Sequence, residues 1–89
     1  LERPPGLRER YQNVEGYELK ELLVSERSPL VGLTIKDSGI RERFGGMVVG
    51  LERDGERTIN PTSIHHIQSG DVLWVVGENE KLRALIDWA

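Results

Sequence analysis

Apolar residues change their spacing several times along this chain, and each change marks an element. Tyr17 and Leu19 alternate with Glu18 and Lys20. At Glu21 the phase slips and Leu22 and Val24 take over, which predicts a first strand with a bulge. Ser28-Pro29 closes it. Thr34 precedes Asp37 by three residues, as in a capping box, and Ile35, Ile40 and Phe44 can share one face of a short, glycine-interrupted helical segment. Gly45-Gly46 then supplies the left-handed stop such a segment needs.

Met47, Val49 and Leu51 alternate into a second strand, and Asp54-Gly55 suits a two-residue hairpin turn. That turn sets Glu52 opposite Arg57 and Leu51 opposite Thr58. A third strand is therefore expected from about Glu56 to Asn60, ended by Pro61. After a loop carrying Ile64 and Ile67, Ser69-Gly70-Asp71 turns into the continuous run Val72 to Gly77. Such a run predicts a central strand covered on both faces, with Trp74 in the core. Asn79 can cap a last helix in which Leu82, Leu85, Ile86 and Ala89 fall at helical spacing. The pattern is an α+β domain, strand-helix-three strands-helix, with a mostly antiparallel sheet. Residues 1–16, polar and broken by Pro4-Pro5-Gly6, are expected to be a linker or tail, and 17–89 the domain.

Composition narrows the function more than the fold. Eighty-nine residues fit one small domain with a thin stability margin, which a partner chain would widen. Acidic and basic residues are interleaved around a net charge of -3, so no arm suited to a polyanion stands out and nucleic acid is a poor partner. The chain has no cysteine, which excludes disulfides, thiolate metal sites and cysteine nucleophiles and points to no oxidising compartment. No apolar run approaches the roughly 20 residues of a membrane helix. Because the chain starts at Leu1, it can be an excised piece of a larger protein.

Candidate chemistry is sparse. No nucleophile has a base beside it and no phosphate-loop glycine signature is present, so catalysis is not expected. His65 and His66 are adjacent and, in an extended segment, point to opposite sides; they cannot chelate one metal together. Trp88 is expected to be partly exposed or packed on a neighbour. Arg41 and Arg43 read more often as solvated charges paired with Glu42 or Glu52 than as anion ligands.

From Glu21 to Gly77 the chain resembles the C-terminal domain of the regulators of potassium conductance, the TrkA-C or RCK C-terminal family. The resemblance is carried by Ser28-Pro29-Leu30-Val31-Gly32-Leu33-Thr34-Ile35 leading into Ile40 to Gly45, the Met47 to Gly55 hairpin, Asn60-Pro61, and Gly70 to Gly77. Leu33 departs from the lysine or arginine usual after "VG". The resemblance implies a regulatory, non-enzymatic domain without a cofactor. It implies a homodimer on the cytoplasmic side of the cell membrane, attached to the membrane domain of a potassium or cation transport protein. The stretch "GGMVVGLERDGE" is most similar to copies fused to cation/proton antiporters.

In some such domains cyclic di-AMP binds at the dimer seam. Carried over by position, its ligands would be Ile40, Arg41, Met47, Val48 and Pro61, with Ile35 as an apolar wall. Arg41 offers a fork for phosphate oxygens, and Ile40 with Pro61 a surface for a purine. Two departures count against this ligand: Met47 stands where ligand-binding members have a polar amide, and Glu42 where a small residue is commoner. A carboxylate about 5 Å from a phosphate is repulsive by roughly 1 kcal/mol or more. The implied partner is thus a small anionic ligand such as a cyclic dinucleotide; the alternative is a purely structural dimerisation module.

Overall fold

A computed structural model describes Gly6 and residues 16–89. The expected linker over 1–16 lies outside the described residues apart from Gly6 and Gly16. The elements are β1 (Tyr17–Leu23), α1 (Ile40–Phe44), β2 (Met47–Arg53), β3 (Glu56–Ile59), β4 (Val72–Glu78) and α2 (Asn79–Trp88). They form one antiparallel four-stranded sheet in the order β1-β4-β2-β3, so the strand-helix-three strands-helix order holds.

The hairpin forms as its turn chemistry dictates. Asp54 and Gly55 both have positive φ, 51° and 80°, which is the conformation of a tight two-residue turn. Glu52 pairs with Arg57 and Leu51 with Thr58, as expected. β1 corrects the sequence reading. It pairs with β4 without a shift from Tyr17↔Glu78 to Leu23↔Val72. No phase slips at Glu21, because Tyr17, Leu19 and Leu23 occupy one face of the sheet while Leu22 points to the other. The register shift lies instead in β2, between Val48 and Gly50.

The apolar run of β4 is covered on one face only. Leu73 and Val75 are fully buried with Leu51 beneath the helices, whereas Val76 is 37% exposed and Trp74 half-buried. Trp74 packs under the Arg57 guanidinium, 4.8 Å from ring centroid to Cζ, rather than in the core. The core comprises Val24, Leu30, Ile40, Phe44, Leu51, Ile67, Leu73, Val75, Leu82 and Leu85.

α1 is shorter than the pattern from Thr34 suggested. Asp37 N–H does donate to Thr34 Oγ1 at 3.1 Å, but this closes a turn. Gly39 then takes a left-handed φ of 76°, which no continuing helix can contain, so the helix starts only at Ile40. Gly45 ends it at φ 63°, its N–H reaching the Arg41 carbonyl. In α2, Glu78 rather than Asn79 is the N-cap, without a side-chain cap bond; Leu82 and Leu85 are buried, while Ile86 is 43% exposed. The Arg43 guanidinium sits over the rings of both Phe44 and Trp88, at 5.1 and 4.6 Å, and those rings pack on each other at 5.7 Å, which ties α1 to α2.

Candidate ligand hollow

The start of β2, α1 and two loop segments enclose a hollow of about 440 Å³. α1 contributes Ile40, Arg41 and Glu42; the α1–β2 junction contributes Gly46, Met47 and Val48; the loops contribute Ile35, Lys36, Pro61 and Ser63. All six residues singled out from the sequence, Ile35, Ile40, Arg41, Met47, Val48 and Pro61, therefore border one space. They are not equally accessible. Ile40 is 1% exposed and presents only an edge, Ile35, Val48 and Pro61 are half-buried, and Met47 stands 63% exposed. Ile40 and Phe44 belong to the core.

The hollow exists because the chain comes close to itself at Gly46. A Cβ there would lie 2.8 Å from Val75 Cγ1 and 3.0 Å from Ile40 Cγ2, so only glycine lets the junction pass between α1 and β4. The opposite wall is a backbone ribbon. Lys36 N–H donates to the Ser63 carbonyl at 2.9 Å, Ile35 N–H to the His65 carbonyl at 3.0 Å and Ile67 N–H to the Leu33 carbonyl at 2.8 Å.

Four lining residues, Lys36, Glu42, Gly46 and Ser63, were not among the sequence candidates. Lys36 and Ser63 arrive through the backbone pairing of two distant segments, for which the sequence carries no local signal. The hollow thus offers two cations, Lys36 and Arg41, one carboxylate, Glu42, a hydroxyl and an apolar floor. Glu52 pairs with Arg57 at 3.4 Å rather than with Arg41, Arg43 is stacked on rings, and no ion pair to Arg41 occurs among the described residues. Such a surface can hold a small anion with an apolar body.

Away from the hollow, the buried Asp71 carboxylate receives the Arg53 guanidinium on both oxygens, at 2.8 and 2.7 Å. Burial pushes Asp71 up, but the Arg53 hydrogen bond, the Gln68 N–H and the nearby positive charge more than offset this. The net shift is below the ordinary carboxylate value. The same hydrogen bond raises the guanidinium of Arg53. His65 is half-buried and His66 exposed, and among the described residues no group of three or more histidine or acidic side chains is placed to hold a metal. No helix of the described residues is long and apolar enough to cross a membrane.

Comparison with known proteins gives the class. The TrkA-C domain family model matches residues 19–89, and the chain belongs to this family of regulatory, non-catalytic domains of potassium channel and transport proteins. A "Probable potassium channel protein 2" of Methanocaldococcus jannaschii is 32% identical over 71 residues, covering 80% of this chain and 21% of that protein. The chain thus spans about a fifth of that relative. The RCK C domain of the potassium transport protein KtrA, solved in complex with cyclic diadenosine monophosphate, superposes with a TM-score of 0.72 at 25% identity, covering 80% of this chain and 81% of that one. The RCK_C domain dimer of Streptococcus agalactiae BusR in complex with c-di-AMP has the same fold, with a TM-score of 0.72 at 24% identity over 79% of this chain and 92% of the other.

Proposed function

We propose that this chain is a homodimerising, ligand-sensing domain on the cytoplasmic side of a potassium or cation transport protein, and that the parent is a cation/proton antiporter. Residues 17–89 are the domain and 1–16 the linker to that parent, in keeping with the family match from residue 19 and the start of β1 at Tyr17. The antiporter assignment rests on the likeness of "GGMVVGLERDGE" to antiporter-fused copies.

The observation that carries the reading is the convergence of Ile35, Ile40, Arg41, Met47, Val48 and Pro61 on one hollow. At a seam between two copies, paired hollows would present two Arg41 forks and two Lys36 ammonium groups to a doubly charged ligand, with Ile40 and Pro61 against its apolar body. Cyclic di-AMP, which the similar KtrA domain binds, has that chemistry. Calorimetric titration of wild type, Arg41→Ala and Glu42→Ala with cyclic dinucleotides and adenine nucleotides tests it. Arg41→Ala should abolish binding and leave folding nearly unchanged, and Glu42→Ala should strengthen it. Absence of heat in all three sinks the anionic-ligand reading for those compounds. Sedimentation at micromolar concentration should give a dimer, and a stable monomer would overturn the seam.

A second reading, a dimerisation module without a ligand, is favoured by the carboxylate of Glu42 inside the hollow and by the near-complete burial of Ile40. A thermal-shift screen separates the two, since a ligand that binds only the folded state raises the midpoint.

A further inference from the structure

One wall of the hollow is carried by a ribbon that does not belong to the sheet. Residues 32–36 and 63–67 run antiparallel, with a bridge between Thr34 and His66 and a Gly32 N–H to Ile67 carbonyl bond of 2.7 Å beside those already described. Ile35 and Lys36 belong to one strand of this ribbon; Ser63, with Pro61 just ahead of it, belongs to the other. The opposite wall, from Ile40 to Val48, is fixed by α1 and β2.

One side chain joins the ribbon to the sheet. Arg53, the last residue of β2, donates Nη2–H to the His66 carbonyl at 3.0 Å while the same guanidinium grips Asp71. Asp71 Oδ2 in turn accepts the Gln68 N–H at 2.8 Å. Asp71 is 1% exposed and the Arg53 side chain 32%, so the grip is shielded from water on the carboxylate side, where charge-assisted bonds are strongest. Two consecutive stretches of the ribbon's return path, at His66 and at Gln68, are therefore referenced to the end of β2 through one planar fork.

We infer that Arg53 is a positioning residue for the hollow: it sets the spacing between the Ile35–Lys36 and Pro61–Ser63 wall and the Ile40–Val48 wall without lining the space itself. Lysine keeps the charge and much of the reach but cannot donate in a fixed plane to Asp71 and the His66 carbonyl together. Arg53→Lys isolates that geometry from charge. The part of the inference that concerns ligand affinity rests on the function proposed above; the part that concerns the ribbon does not.

The test has two arms on the 89-residue chain. In the first, hydrogen exchange of the unliganded protein compares wild type with Arg53→Lys. Exchange at the Gly32, Ile35, Lys36 and Ile67 amides should accelerate about tenfold or more, while amides of the β1–β4 pairing change much less. Equal acceleration at both sets, or none at the ribbon, overturns the inference, because a clamp that only adds global stability moves every amide together. In the second, cyclic di-AMP is titrated into both proteins. A Kd weakened about tenfold, at a urea midpoint close to wild type, supports the positioning role, and an unchanged Kd overturns its ligand part. Lack of binding by wild type defeats the proposed ligand, and the exchange arm alone then decides the role of Arg53. Asp71→Asn serves as a second variant if it folds, and the same ribbon amides should respond.

Discussion

Both faces of the sheet carry apolar side chains, and the two are opposite in burial. Under the helices Leu51, Leu73 and Val75 are 2%, 0% and 0% exposed; on the other face Leu19, Leu23, Met47 and Ile59 are 58%, 73%, 63% and 69% exposed. Alternation places both sets, since neighbouring residues of a strand point to opposite sides. Hydrophobicity alone therefore does not mark the core. What marks it is that α1, α2 and the 24–30 segment close over one side, where each apolar side chain leaves water completely and is held by neighbours on all sides.

Substitutions that probe each face can break this contrast. The largest effect is expected for Leu73→Ala on the covered face, a loss of about 2–5 kcal/mol by urea unfolding. Gly46→Ala should follow at about 1–3 kcal/mol, because its methyl would press on Val75 and Ile40 in a packed region. Trp74→Ala on the open face should cost about half of the roughly 3–5 kcal/mol typical of a fully buried tryptophan. A loss exceeding that of Leu73→Ala, especially one that grows with protein concentration, would mean that the open face is covered in solution.

The Arg53–Asp71 pair sits at the rim of the covered face and gives it a pH signature. Because the folded Asp71 titrates below its ordinary value of 3.8, its contribution to stability is fully present above that pH. It is lost as pH falls from about 4 through the lower folded value, where the unfolded chain takes up the proton first. Urea midpoints measured from pH 6 down to pH 3 should show this decline, and Arg53→Ala should flatten it. An equally steep decline in that variant would assign the acid sensitivity elsewhere. The smallest effect is expected for Leu19→Ser, within about 0.5 kcal/mol, as for an exposed position without a special role.

Much of the fold was legible because its signals are local. Asp54-Gly55 dictated the hairpin and its register, Gly45 the end of α1, and the Val72–Gly77 run the identity of β4 as an inner strand. The misreadings share a cause. Placing Tyr17, Leu19, Leu22 and Val24 on a single apolar face requires a bulge at Glu21 to reconcile them. With two apolar faces none is required. The same assumption buried Trp74 on both sides. Of the hollow, the six residues carried over by family likeness border one space, whereas Lys36 and Ser63 carry no local signal, because 26 residues of chain lie between them.

By itself the sequence determined the elements, the turns between them and the family, since φ preferences, capping and alternation act within a few residues. Only the tertiary structure decided which face of the sheet became core, where the bulge fell, and that a β2 arginine and the aspartate just ahead of β4 anchor the wall of the hollow. Those outcomes depend on contacts between residues far apart in the chain, which form only when the helices and the 32–36 and 63–67 segments close on the sheet and exclude water there.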